Sequence, residues 1–221
     1  MIQTERLILR PYEVADYDDY AAMVADPVVV RHAGAPMTGE EAWMRLLRFI
    51  GYWSVFGHGM FAVLDRTTGQ YLGETGFMDF RREVAPRLDT MPEAAWVFTS
   101  AAHGKGYAYE AAAAAHRWMD EDHAPPATQC MISPANRESI RLAEKLGYRP
   151  HDEPQYRDHQ VHRLIRGRPE NRQSVRQSAL LSPVAHSVAA ATSASAQAMA
   201  CGVTGPRMAA WTLWSCSPPV T

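Results

Sequence analysis

Read for spacing alone, the chain moves between stretches of period two and stretches of period 3.6. Residues 4–10, T-E-R-L-I-L-R, alternate and run into Pro11, which suits a first strand at a sheet edge. Over residues 13–25 apolar side chains recur at Val14, Tyr17, Tyr20, Ala21 and Val24, one face of a helix that Asp26-Pro27 ends. Thr38 followed by Glu41 is a capping-box pattern, opening a helix through Trp43, Leu46, Leu47, Ile50 and Trp53. G-M-F-A-V-L-D-R, a T-T-G turn and Y-L-G-E-T-G-F-M-D-F then read as a hairpin. Residues 93–99 make another strand, and 106–120 a long helix through five consecutive alanines. A short strand follows at 128–132, a helix at 136–146 stopped by Gly147, and a weaker last strand at 156–165. Hairpins first, then strand–helix–strand–helix–strand, predict a single α/β (α+β) domain with a mixed sheet.

Composition changes that picture at one place. Residues 167–221 carry four Arg and one Glu, with 11 Ala and 8 Ser and no Lys, Asp, Ile, Phe or Tyr. Such a segment buries too little to offset its ordering entropy, so it is expected to be a disordered tail on a domain spanning 1–166. Leu180, Leu181, Trp211 and Trp214 are the residues that could dock it, and a frame-shifted or read-through end would give the same break. The net charge of −2 over 221 residues calls for neither nucleic acid nor an anionic membrane. Three cysteines (Cys130, Cys201, Cys216) without C-x-x-C spacing argue against a disulfide framework or a zinc finger. The histidines 116 and 123, and 159 and 162, have no matching ligand set, so no metal is expected. With no apolar signal core and no run of membrane-spanning length, a cytoplasmic location is the expectation.

The chemistry-bearing stretch is W-V-F-T-S-A-A-H-G-K-G-Y-A-Y-E-A, residues 96–111. A strand runs into a glycine-containing loop that opens a helix, and successive amides there form an anion cradle. Gly104 and Gly106 let the backbone approach a phosphate, Ala108 keeps the helix close to the sheet, and Lys105 is an exposed countercharge. An ordinary tight strand–helix turn would look the same. In S-P-A-N-R-E-S-I-R-L-A-E-K-L-G-Y, residues 133–148, Asn136 is an N-cap and Ile140, Ala143 and Leu146 form the buried stripe. A dinucleotide-binding oxidoreductase fits poorly, because G-K-G-Y-A-Y lacks the third glycine and Asp120, Glu121 and Asp122 follow a helix rather than a second strand.

H-G-K-G-Y-A-x-E-A followed by N-R-x-S-I-R-x-x-E-K-L-G-Y resembles the GNAT N-acetyltransferase superfamily, and T-E-R-L-I-L-R-P resembles its branch of ribosomal-protein N-terminal acetyltransferases. The resemblance covers residues 2–165. It implies acetyl-coenzyme A as donor and a central sheet, flanked by helices, splayed open between the strands at 93–99 and 128–132. The pantetheine would lie in that opening against the backbone of Val97, Phe98 and Thr99. The pyrophosphate would sit on amides of His103, Gly104, Lys105, Gly106, Tyr107 and Ala108, with Asn136 facing the pantetheine arm. The acceptor would be a primary amine of a small molecule or a protein N-terminus, and a homodimer is compatible with the resemblance.

Two positions depart from the family pattern. Ala101 stands where the phosphate motif usually has Gln or Arg, and Ala143 where many members carry a tyrosine as general acid. Ser139 is the nearest replacement acid by motif. The oxyanion donor would be backbone N–H near Val97 or Phe98. Glu93 and Glu74 are the candidate bases, acting through water with pKa values raised by burial. Tyr52, Trp53, Phe56 and Phe61 read as core or acceptor-pocket wall. The acceptor pocket itself would draw on residues 26–37 and 85–91, and an acidic domain mildly favours a cationic acceptor. The missing tyrosine also leaves open a non-catalytic acyl-coenzyme A binding or sensing module.

Overall fold

A computed structural model of the protein describes residues 1–85 and 91–168. Its chain starts with two strands, β1 (Ile2–Gln3) and β2 (Leu7–Pro11), joined by a turn in which the Thr4 N–H donates to the Leu7 carbonyl at 2.9 Å. A 3₁₀ turn at Val14–Asp16 leads into α1 (Tyr17–Ala25), so the stretch read as one helix has two parts. The Asp26 carboxylate accepts from the Val28 N–H at 2.8 Å and caps a four-residue α2 (Pro27–Val30). The capping box forms at α3 (Gly39–Phe56): Thr38 Oγ1 accepts from the Glu41 N–H, and Glu41 Oε2 accepts from the Thr38 N–H at 2.7 Å. Gly57, at φ +68°, ends that helix as only an unbranched backbone does cheaply.

The hairpin of β3 (Met60–Asp65) and β4 (Tyr71–Met78) follows, then β5 (Glu93–Phe98) and α4 (Tyr107–Trp118), which closes in a π-turn at Met119–His123. The rest is β6 (Ala127–Ile132), α5 (Arg137–Leu146), β7 (Arg149–Asp152), the small hairpin β8 (Gln155–Tyr156) and β9 (His159–Gln160), and β10 (His162–Gly167). Eight strands form one sheet in the order β1-β2-β3-β4-β5-β6-β10-β7. The sheet is mixed, as expected, with every pairing antiparallel except β5–β6.

Two sequence expectations need correction. The first long strand is not an edge, because β1 pairs with its outer side at Leu9 and Ile8. The last strand is not continuous from 156: Arg157 takes a left-handed φ of +53°, breaking the stretch into the β8–β9 hairpin and β10. At the end of the described residues β10 continues through Gly167, and the Arg168 N–H donates to the Pro126 carbonyl at 3.1 Å. The expected disorder and docking of the remaining tail, 169–221, and the pocket wall at 86–90 lie outside the described residues.

Each face of the sheet carries its own core. On one face Leu7, Leu9, Phe61, Val63, Phe77 and Phe98 meet the alanines of α4 and Ala143 of α5. On the other, Met60, Ala62, Tyr71 and Met78 meet Tyr20 and Met23 of α1 and Leu46 and Phe49 of α3. A bulge decides which residues reach which face. Val63 pairs with Gly73 but Leu64 with Tyr71, so Leu72 is an extra residue in β4. Beyond it the alternation inverts: Leu72 points to the α4 side and Glu74, two residues on, to the α3 side. Among the described residues no helix is long and apolar enough to cross a membrane.

Candidate active site

The sheet opens between β5 and β6. These parallel strands are in register at Glu93 and Gln129, where the Gln129 N–H donates to the Pro92 carbonyl at 3.0 Å, and no further register pair joins them. From that closed end they diverge towards the C-terminal end of β5. Alternation then fixes which β5 groups face the opening. The Thr99 N–H donates to the Leu72 carbonyl on β4, and the Val97 carbonyl also points at β4, within 2.4 Å of where a Cβ on Gly73 would lie. The backbone of Val97 and Thr99 is therefore directed at β4, and that of Trp96 and Phe98 at the gap. The Phe98 carbonyl there accepts from His103 Nε2 at 3.0 Å, leaving the Phe98 N–H as the donor aimed into the opening.

At the wide end, β5 passes through a 3₁₀ turn, Ser100–Ala102, into the loop that starts α4. The His103 amide is taken by the Ser100 carbonyl at 3.2 Å. The amides of Gly104, Lys105, Gly106, Tyr107 and Ala108 have no backbone acceptor among the described residues, as expected at a helix start. Gly104 and Gly106 sit at φ +73° and +80°, and a Cβ on Gly104 would meet nothing within 4 Å. This concave run of amides at a helix N-terminus, open to solvent, fits a pyrophosphate.

Sequence reasoning missed what holds the loop. Arg6, in the β1–β2 turn, donates from Nη1 to the Lys105 carbonyl at 3.0 Å and from Nε to Glu110 Oε2 at 2.7 Å, and its guanidinium lies 4.6 Å from the Tyr107 ring centroid. Glu110 also accepts from Thr4 Oγ1 at 2.5 Å and from the Arg6 N–H at 3.0 Å, so its pKa falls below the usual carboxylate range despite some desolvation. A cation thus stands beside the loop although Ala101 offers none. No local pattern marks Arg6, which lies 104 residues from Glu110.

Asn136 Oδ1 accepts from the Ser139 N–H at 3.1 Å, the expected cap, which leaves its side-chain NH₂ available. Ser139 Oγ accepts from Trp96 Nε1 at 3.2 Å, so α5 and β5 touch across the opening and the serine proton remains available for donation. Ala143 is fully buried in the α4-side core, so that position offers no acid.

The two candidate carboxylates are not brought together. Glu93 is at the closed end opposite Met78, and Glu74 is opposite Val97, four β4 residues away, or about 13 Å along the strand. Glu93 is buried and gripped by Arg82, whose Nε lies 3.0 Å from both carboxylate oxygens. Burial pushes its pKa up while Arg82 opposes that. Beside it is a cavity of about 40 Å³ lined by Asp79, Arg82, Glu93, Gln129, Met131 and Arg163. Glu74 is wholly buried on the α3 side. The Tyr12 hydroxyl donates to its Oε2 at 3.0 Å and, with its only proton so placed, accepts from Tyr71 at 2.6 Å. Arg45 reaches Oε1 at 3.5 Å. Burial lifts the Glu74 pKa, with Arg45 and Tyr12 pulling the other way. In the aromatic cluster Trp53 Nε1 donates to the Met60 carbonyl at 2.7 Å, the Tyr52 hydroxyl accepts from the Asp79 N–H at 2.9 Å, Phe61 is buried in the α4-side core and Phe56 is exposed.

Comparison with known proteins places this geometry. A family model described as an acetyltransferase (GNAT) domain matches residues 6–149. A Bordetella pertussis protein assigned to the GnaT acetyltransferase family is 34% identical, with a TM-score of 0.68 over 75% of this chain and 98% of that one. The fold is also shared with spermidine N-acetyltransferase from Vibrio cholerae, in complex with CoA and spermine, at 14% identity and a TM-score of 0.62 over 76% of this chain and 99% of that one. Ribosomal-protein-S5-alanine acetyltransferase from Vibrio fischeri gives 17% and 0.60 over 76% and 97%. The uncharacterized protein YkkB of Bacillus subtilis is 32% identical over 92 residues, 42% of this chain, so the match spans about half (51%) of that relative's length. The open sheet, the amide loop at the start of α4 and the matched domain carry one conclusion: the chain belongs to the GNAT acetyltransferase family.

Proposed function

We propose that the protein transfers an acetyl group from acetyl-coenzyme A to a primary amine, on a small molecule or at a protein N-terminus. Acyl transfer from acyl-coenzyme A to an amine is the family's general activity. The observation that carries the proposal is the pairing of an open β5 edge with the unpartnered amides of residues 104–108 at its wide end. Those amides, flanked by Arg6, would hold the pyrophosphate, and the Asn136 side chain would meet the pantetheine arm.

The residues then divide the chemistry. The Phe98 N–H is placed to polarise a carbonyl in the opening, where a fixed donor costs no reorganisation as charge develops. An amine must lose a proton to attack. Glu93 and Glu74, both lifted by burial, are the proton acceptors on the α3 side, reached through water. Ser139, its oxygen already accepting from Trp96, donates towards the leaving sulfur.

Buried Ala143 favours a second reading, a module that binds acyl-coenzyme A without turning it over. Thiol release from acetyl-coenzyme A against a panel of amines separates the two. Amine-dependent release with Glu93→Gln lowering kcat and sparing coenzyme A affinity supports transfer. Saturable binding with no release from any amine supports the module.

A further inference from the structure

We propose that Arg48, with Arg45 behind it, forms a subsite for a carboxylate carried by the acceptor, so that the preferred amine is of amino-acid type. This rests on the transfer reading above and names its substrate class.

The two arginines are one turn apart on α3 and share the Phe49 ring, with guanidinium carbons 5.4 Å and 5.9 Å from its centroid. Four buried or half-buried arginines around the sheet have close carboxylate partners: Arg10 with Asp16, Arg82 with Glu93, Arg163 with Asp152 and Arg166 with Asp120. Arg48, exposed at the edge of the helix, has none among the described residues. Arg45 has a long contact to Glu74 at 3.5 Å and a weak one from Nη1 to Met37 Sδ at 3.9 Å, and its Nε is buried without a partner. Beneath them the Tyr20 hydroxyl is also buried and unpartnered. Burial and the Glu74 charge push the Tyr20 pKa up, while Arg45 and Arg48 oppose them, which puts all four groups in one electrostatic neighbourhood.

Every unsatisfied group in this cluster can donate, and the two guanidinium groups can do nothing else. The charge sum points the same way. Arg45, Arg48 and Arg82 stand against Glu74 and Glu93, and burial disfavours the charged form of both carboxyls. Partial desolvation lowers the pKa of Arg48, as does repulsion from Arg45 and Arg82 against a smaller pull from Tyr20 and Glu74; a further anion would relieve that repulsion. A planar carboxylate matches the guanidinium fork in a way that a second cation does not. The place is also right for an acceptor. Glu74 and Arg82 anchor the cluster to β5 at Val97 and Glu93, and between them Ala95 and Val97 present only small, half-buried side chains beside the opening. The slightly acidic domain as a whole would steer cations, but binding at contact distance follows the local field.

The test compares L-amino acids with their carboxamides and with spermidine, using the full chain and thiol release from acetyl-coenzyme A. The acids should show kcat/KM at least tenfold above their carboxamides. Arg48→Gln should raise KM for the acid about tenfold and spare KM for acetyl-coenzyme A, and Arg48→Lys should recover part of the loss. Carboxamides or spermidine used as well as the acids overturn the subsite and leave acetyl transfer standing. So does an acid-to-amide ratio unmoved by Arg48→Gln. If no amine releases thiol, calorimetry of the acids on protein loaded with coenzyme A decides separately. Arg48-dependent binding then supports the subsite although transfer fails, and no binding overturns it.

Discussion

The two faces of the sheet are built on different terms. On the α4 side a glycine loop and an alanine helix lie against the large apolar side chains of the sheet, and one buried histidine has both ring nitrogens matched. His116 Nδ1 donates to the Ala112 carbonyl at 2.6 Å, and its Nε2 accepts from Tyr148, which in turn accepts from Thr128. The α3 side is made of long side chains from distant elements, with donors left over. Buried polar groups that are matched, as around His116, stabilise the fold, whereas unmatched donors, the loop amides on one side and Arg45 Nε and the Tyr20 hydroxyl on the other, are prepared for something the chain does not supply. Substitutions on the first should therefore register in stability and coenzyme A affinity, and those on the second in acceptor kinetics.

The largest effect expected is on the α4 side. Arg166 is buried and held by Asp120 at 2.9 Å and 2.5 Å, with the Leu146 carbonyl as its other partner. Asp120→Ala should lower the unfolding free energy by about 3 kcal/mol or more in urea titrations, because it strands a buried guanidinium. A loss below about 1 kcal/mol would break the division between the faces.

Acid should act on the same side. Burial, the largest influence, lowers the His116 pKa from 6.5 to about 4. Between those values the unfolded chain holds the extra proton, so stability is complete above pH 6.5 and falls as pH drops towards 4. The loss should reach the order of 3 kcal/mol from this residue. Denaturation across that window, compared with a His116→Gln chain that lacks this titration, measures it.

Gly106→Val sharpens the comparison at the cofactor loop. A branched residue at φ +80° reshapes the amide run while meeting only Arg6, 3.6 Å from the new Cβ. The Kd for coenzyme A should rise at least tenfold, about 1.4 kcal/mol, with the acceptor preference unchanged. Unaltered affinity by calorimetry would remove the loop from the site.

The smallest effect on stability belongs to the α3 side. Glu74→Gln keeps the volume, and burial already disfavours the carboxylate it removes. Unfolding should change by less than about 1 kcal/mol while turnover at neutral pH falls. Unchanged turnover alongside a Glu93→Gln loss would leave Glu93 as the proton acceptor.

The same contrast governs what the sequence could reveal. The Thr38–Glu41 box, the Asn136 cap, the Gly147 stop and the Gly104–Gly106 loop are local, each readable within a few residues, and the structure has each where its spacing placed it. Glu74 and Glu93 could be named as candidates but not given their surroundings, because Tyr12, Arg45 and Arg82 reach them from other elements. The bulge at Leu72 was invisible too, and strict alternation from Leu72 would have sent Glu74 to the wrong face. Strands β1 and β7 escaped notice because two or four residues are too few for a period, and R-P-H-D does not look like a strand at all.

The Arg6–Glu110 clamp ties the cofactor loop to the order in which the molecule assembles. Its partners lie 104 residues apart, whereas the β3–β4 hairpin and the caps of α3 and α5 close over a handful. Long closures lose more chain entropy before any contact compensates, and slow folding follows from them. The amide run can form with α4 alone, but its outer wall waits for the first turn of the chain to arrive. Competence to hold coenzyme A would then be among the last properties the folding protein acquires, a late signal that distant parts of the sheet have met.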